Sequence, residues 1–232
     1  MRRILILALA LILAVSAAAC NKQQLSEKAE GGLKAFVTTI KTFPDKIGFH
    51  KELEHWGFEL PTGEKFEWSR DMSANKVDLA MVMLADPFIS AGLDVEKLNA
   101  DEWVFMPAGN EDGMDTPNLL VKPHNVKDEG RSSNGYEDAM RKLLLADENL
   151  LTYHGEMKHY RLKFSEGFEV RWTEELSLND EDFIFILKAE PLINAGLDIT
   201  KLEGSGWEFR AAGQDASEMG DNPDQLVKKY KL

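Results

Sequence analysis

The sequence predicts an α+β fold built from a tandem duplication, and three observations carry that expectation. Residues 31–109 and 135–213 align without a gap at a constant offset of 104. The clearest stretch is Ala85–Leu98 (ADPFISAGLDVEKL) against Ala189–Leu202 (AEPLINAGLDITKL), with nine identities in fourteen positions. Within each segment, a helical hydrophobic period is followed by runs of strand period, the pattern of a sheet covered by helix. Self-similarity at a fixed spacing means one folding unit used twice, so each copy tests the reading of the other.

Each unit opens on an amphipathic helix. Leu33, Phe36, Val37 and Ile40 fall at i, i+3, i+4 and i+7, and Pro44 ends the run. Tyr136, Met140, Leu143 and Leu144 form the corresponding stripe in the second unit. A hairpin comes next. Trp56, Phe58 and Leu60 alternate with polar or small residues, Pro61-Thr62-Gly63 turns the chain, and Phe66 and Trp68 continue the alternation. Tyr160, Leu162 and Phe164, then Val170 and Trp172, repeat the phase around Gly167. Period-two alternation places one face of the hairpin in the core.

The third strand, Val77–Leu84 or Asp182–Leu187, is almost continuously apolar, as for a strand inside the sheet. A short helix follows, with Asp86 or Glu190 ahead of Pro87 or Pro191, and Gly92 or Gly196 as its stop. Asp94 and Asp198 are placed to cap one more turn. Trp103 to Phe105, or Trp207 to Phe209, alternates again as a fourth strand. Each unit closes on a Pro-initiated turn, Thr116-Pro117 or Asn222-Pro223, leading into Leu120 to Lys122 or Leu226 to Lys228, where the offset becomes 106. The expected unit is therefore about 100 residues. It holds a roughly four-stranded, mainly antiparallel sheet with one amphipathic helix and one short helix. The units are expected side by side about a pseudo-two-fold axis, and the sequence leaves open whether their sheets join.

The N-terminus reads separately. Arg2 and Arg3 precede the apolar run Ile4–Val15, and Ser16-Ala17-Ala18-Ala19 lead to Cys20. That is an export signal, and the run is short of the roughly 18–20 residues of a membrane span. Ala17-Ala18-Ala19-Cys20 resembles the lipobox of bacterial lipoproteins, with Ala17 where the usual pattern has leucine. The resemblance covers residues 1–20. It implies a signal peptide at 1–19, acylation of Cys20 and anchoring of the mature chain to a lipid bilayer. Asn21 is not the aspartate that favours inner-membrane retention, so the resemblance implies the outer membrane in a Gram-negative host and the cell surface otherwise. The remaining organisation is a polar tether at 20–30, repeat 1 at 31–124, a Gly/Ser-rich linker at 125–134 and repeat 2 at 135–232.

Composition removes several classes of function. Cys20 is the only cysteine, which excludes disulfides and cysteine metal sites. With Arg2 and Arg3 removed, 25 basic residues face 40 acidic ones, a formal charge of −15. Nucleic acid needs a cationic face and is not an expected partner. About 200 mature residues allow two modest cores.

The chemistry-bearing residues are few. His50-Lys-Glu52-Leu-Glu-His55 recurs as His154-Gly-Glu156-Met-Lys-His159. Histidine and carboxylate are zinc or copper ligands, so these six residues form the candidate metal set. Spacing opposes chelation within one unit, since residues five apart diverge on a helix and face opposite ways on a strand. The acidic loops Asn110–Asp115 and Asp215–Asp221 lack EF-hand spacing. Asp78 and Asp182 are carboxylates present in both units. Gly204-Ser205-Gly206 is not a nucleophile elbow, and no P-loop or dinucleotide fingerprint occurs. The five tryptophans, Trp56, Trp68, Trp103, Trp172 and Trp207, lie on the expected apolar faces. They are core, or they line a groove between the units if one is open. The chain reads as a non-catalytic binding or adaptor module for an envelope protein or peptide, with a metal-binding lipoprotein as the alternative.

Overall fold

The computed structural model describes residues 24–72, 77–111, 114–126, 133–165, 167–213 and 223–232. Cys20 and the signal segment lie outside them, as does the acidic loop at 215–221.

The first half begins with helix α1 (Glu27–Thr42), capped by the Ser26 side chain, which accepts from Ala29 N. Strands β1 (Ile47–His50), β2 (His55–Glu59), β3 (Lys65–Ser69) and β4 (Leu79–Leu84) follow. Helix α2 (Asp86–Ser90), β5 (Val104–Met106), the hairpin β6 (Gly109–Glu111) with β7 (Met114–Thr116), and β8 (Leu119–His124) complete it. The second half repeats the order as α3 (Tyr136–Ala146), β9 (Leu151–His154), β10 (His159–Ser165), β11 (Phe168–Thr173), β12 (Phe183–Lys188), α4 (Glu190–Asn194), β13 (Trp207–Arg210) and β14 (Gln225–Tyr230).

The strands form two separate six-stranded sheets, ordered β1-β2-β3-β4-β8-β5 and β9-β10-β11-β12-β14-β13, antiparallel throughout. This corrects the sequence expectation in one respect, since each sheet has six strands where about four were expected. That the two sheets are separate answers a point the sequence left open. Both extra strands hide for local reasons. Ile47–His50 is short and carries Gly48, while Leu119–His124 contains Pro123, a residue that argues against a central strand. Pro123 is tolerated because β5 reaches only Val121, so that end of β8 has a strand on one side alone.

The short helices match their expected punctuation. Pro87 and Pro191 sit in the first turns of α2 and α4, and the Asp94 and Asp198 side chains cap the next turn by accepting from Glu96 N and Thr200 N.

Length allowed two cores, but one continuous apolar core spans both halves. The inner sheet faces pack directly, with Phe58 stacked on Phe183 at 5.3 Å and Phe66 near Phe164 at 6.3 Å. Helix α1 contacts β9 and β11, and α3 contacts β3, so each helix lies on the other half's sheet. Trp172 Nε1 donates to Gly32 O at 3.1 Å, and Trp68 Nε1 donates to Tyr136 O at 3.0 Å. Both donors and both acceptors differ by 104, so one contact is made in each direction. Gly32 gives room for the other half, because a Cβ there would come within 2.5 Å of Leu151 Cδ2 and force that side chain to shift.

The same reciprocity marks the turn after each short helix. Asp94 N donates to Ala195 O at 2.9 Å, and Asp198 N donates to Ala91 O at 2.8 Å. Gly92 and Gly196 have φ of 98° and 102°, and a Cβ on either would lie 3.0–3.1 Å from the other's carbonyl oxygen.

Candidate functional site

The histidine motif folds in a way that spacing did not suggest. Residues 51–54 form a tight turn with Glu54 at φ 52°, and Lys158 holds φ 50° in the second half. The turn reverses the chain, so His50 and His55 become direct cross-strand partners of β1 and β2. His154 and His159 pair likewise on β9 and β10. The expected divergence of residues five apart is therefore corrected, since each pair shares one sheet face.

The inner member of each pair is engaged at both nitrogens. His55 Nε2 lies 2.8 Å from Val77 O, and its Nδ1 lies 3.3 Å from Glu67 Oε2. His159 Nε2 lies 3.0 Å from Glu181 O, and its Nδ1 lies 2.8 Å from Met157 O. A neutral ring donates to only one of its two acceptors. Burial pushes the His159 imidazole below its usual range, against the raising effect of the two carbonyls. These contacts tie the segment ahead of β4 or β12 to the first hairpin. Glu52 and Glu156 sit exposed in the turns, and His154 Nδ1 accepts from Met157 N at 3.3 Å. Among the described residues, no three His, Cys, Asp or Glu side chains are gathered as a metal site.

The paired carboxylates cap the ends of strands. Asp78 Oδ2 accepts from Val126 N at 2.7 Å, and Asp182 Oδ2 accepts from Leu232 N at 2.9 Å. Each aspartate thus fastens the segment following the last strand of its half.

The groove between the halves is closed. Trp68 and Trp172 are fully buried, and Trp103 and Trp207 nearly so. Trp103 packs on Phe168 and Trp207 on Phe88, across the halves. Lys122 and Lys228 lay their ammonium groups near the Trp103 and Trp207 rings, at 5.1 and 5.8 Å. These four tryptophans build the core and Trp56 lies half-buried against it, so among the described residues the tryptophans line no open groove between the halves.

What distinguishes the halves is the outer face of each sheet. Strand pairing sets Met106, Leu119 and Leu84 in one row across β5, β8 and β4. The corresponding row across β13, β14 and β12 is Arg210, Gln225 and Lys188. The neighbouring row begins Val104, Val121, Val82 in the first half and Glu208, Val227, Ile186 in the second. Val104 and Met106 are 44% and 43% exposed, among the most exposed large apolar residues described. On sheet two the central apolar residues Ile184, Ile186 and Val227 are buried, with Met157 packed on them. Arg171 and Arg161 flank them, both paired to Glu169. Sequence reading stopped at which residues alternate, so it missed this contrast. Comparing the two units position by position on the wet face would have revealed it.

No protein-family model, no curated protein and no solved structure matches the chain. No described helix is long and apolar enough to cross a membrane.

Proposed function

We propose that this chain is a lipid-anchored bacterial envelope protein, built by tandem duplication, that acts by binding rather than by catalysis. Anchoring rests on the lipobox resemblance at Ala17–Cys20. The binding surface is the outer face of the first sheet around Leu84, Val104, Met106 and Leu119. One observation carries this reading: halves that keep the same inner face differ most on the outer one, where three apolar residues stand against Lys188, Gln225 and Arg210. A contiguous apolar surface on an otherwise charged protein marks an interaction site. Its partner class is an envelope protein or peptide. A zinc or copper reading finds no gathered ligand set among the described residues to support it.

A photoreactive amino acid at Met106 tests the binding site in native membranes. Specific adducts are expected there and absent from the control position Arg210. Equal or absent labelling at both positions overturns the assignment of this face. A Cys20→Ser chain that still fractionates with membranes overturns the anchoring.

A further inference from the structure

Resting on the tandem duplication proposed above, we infer that the contact between the halves is a subunit interface with its own pairing rule. Each half is built to bind a separate partner unit, and the first half, unlike the second, can also bind a copy of itself. The contact is two-fold in kind. Trp172 Nε1 donates to Gly32 O and Trp68 Nε1 to Tyr136 O, while Asp94 N donates to Ala195 O and Asp198 N to Ala91 O. Equivalent residues exchange places across the contact, as in a symmetric pair of chains. One core spans both halves, so neither closes its own.

Two positions decide which pairs can form. Glu64 is buried against Lys228, and the equivalents of these residues are Phe168 and Lys122. The first half therefore carries both partners, Glu64 and Lys122, and two copies of it can make the pair twice. Two copies of the second half would set Lys228 against Phe168, with no carboxylate to meet it, and an unpaired buried charge opposes assembly. Gly32 is the second position. It leaves room for Leu151 and Tyr160 of the other half, since a Cβ there would lie 2.5 Å from Leu151 Cδ2 and 3.0 Å from Tyr160 Cδ1. The second half has Tyr136 at the same place. Against Trp56 of the first half that ring packs edge-on at 5.9 Å. Against another Leu151 and Tyr160 it has no room. Both positions thus oppose pairing of the second half with itself, and neither opposes pairing of the first. Selectivity of this kind comes from the penalty in the wrong pair as much as from the fit in the right one.

The test starts from the full chain in detergent, with a protease site placed within residues 127–132 and cut after folding. The cut protein should keep the mass of the intact one and unfold in one transition whose midpoint rises with protein concentration. Halves that part on cutting overturn the inference. The cut pool is then unfolded in urea, refolded and weighed by native mass spectrometry. Mixed pairs should dominate, first-half pairs should appear, and second-half pairs should be scarcer than these by roughly tenfold or more. Tyr136→Gly/Phe168→Glu should raise the second-half pairs, with circular dichroism of the uncut variant checking its fold. Tyr136→Gly alone, which leaves every buried charge in place, should raise them to a smaller extent. Like pairs of both kinds in equal amount, or second-half pairs unmoved by either variant, overturn the inference. A reversed-order chain, 133–232 joined ahead of 24–126 through the same linker, separates the inference from the duplication. Asp78 and Asp182 fasten Val126 N and Leu232 N alike, so the linker serves either junction. If this chain folds while the cut halves part, the duplication stands and the inference alone fails. If it does not fold, the units are not equivalent and the inference falls with the duplication.

Discussion

Glu64 and Lys228 give the sharpest test of how the halves are joined. The Glu64 carboxylate, in the turn between β2 and β3, accepts from Lys228 Nζ on β14 and from the Thr62 hydroxyl. The two side chains are 0% and 7% exposed. Removing one partner of such a pair leaves an uncompensated buried charge, which costs about 3–5 kcal/mol. At 2–4 °C per kcal/mol for a protein of this size, Glu64→Gln should lower the melting temperature by about 6–20 °C. The other half supplies the control. Lys122, which corresponds to Lys228, reaches Glu102 at 3.2 Å, but the Glu102 side chain is 49% exposed. Glu102→Gln should therefore cost no more than about 1 kcal/mol. Replacing both buried partners by apolar residues, Glu64→Leu with Lys228→Met, should recover most of the loss, because no lone charge remains. Urea unfolding of the wild-type chain, Glu64→Leu, Lys228→Met and their double variant, read as a double-mutant cycle, measures the coupling. A Glu64→Gln loss below about 1 kcal/mol, equal to that of Glu102→Gln, would refute the claim that burial makes the first pair different.

Trp68→Phe and Trp172→Phe each remove an indole donor to a helix carbonyl of the opposite half, and loss of that bond should cost about 0.5–1.5 kcal/mol by urea denaturation. Gly196→Ala should destabilise by roughly 1–3 kcal/mol, since φ is 102° and the methyl meets Gly92 O; an unchanged midpoint would show that the turns can separate. Burial holds the His159 and His124 imidazoles below their usual range. The unfolded chain then binds more protons just below pH 6.5, so stability should fall as pH drops from about 7 towards 5, before the carboxylates titrate. His159→Gln should flatten that slope, and an equally steep slope would assign it elsewhere. Either half expressed alone should fail to fold as a monomer, which circular dichroism and light scattering would show.

Much of this architecture was legible in the sequence, because periodicity is a local signal. The Leu33–Ile40 stripe, the hairpin at Phe58 and Phe66, and the Pro87 and Asp94 punctuation follow from rules spanning a few residues. The pairing of His50 with His55 depended on a left-handed Glu54, a residue type that seldom adopts that conformation, and no pattern announced it. Nor did anything local show that α1 would also lie against β9 and β11 of the other half. That placement is decided by which apolar faces fit, with Gly32 giving way to Leu151 more than a hundred residues on. The candidate surface was harder still. Val104 and Met106 alternate like any edge strand, and only the charged counterparts Glu208 and Arg210 make them stand out.

The order of the second sheet bears on how the protein comes into being. β14 is made after every other strand, yet it lies between β12 and β13, and the sheet has no continuous ladder without it. Helix α1 is among the first segments made, and its contacts to β9 and β11 wait for the second half. Contacts so distant along the chain make for slow folding. Until the second half is made, Phe36 therefore lacks the rings of Trp172 and Phe183, and Phe58 lacks that of Phe183. A holding chaperone, or rapid delivery of the whole chain, should matter more to its yield than the stability it finally reaches.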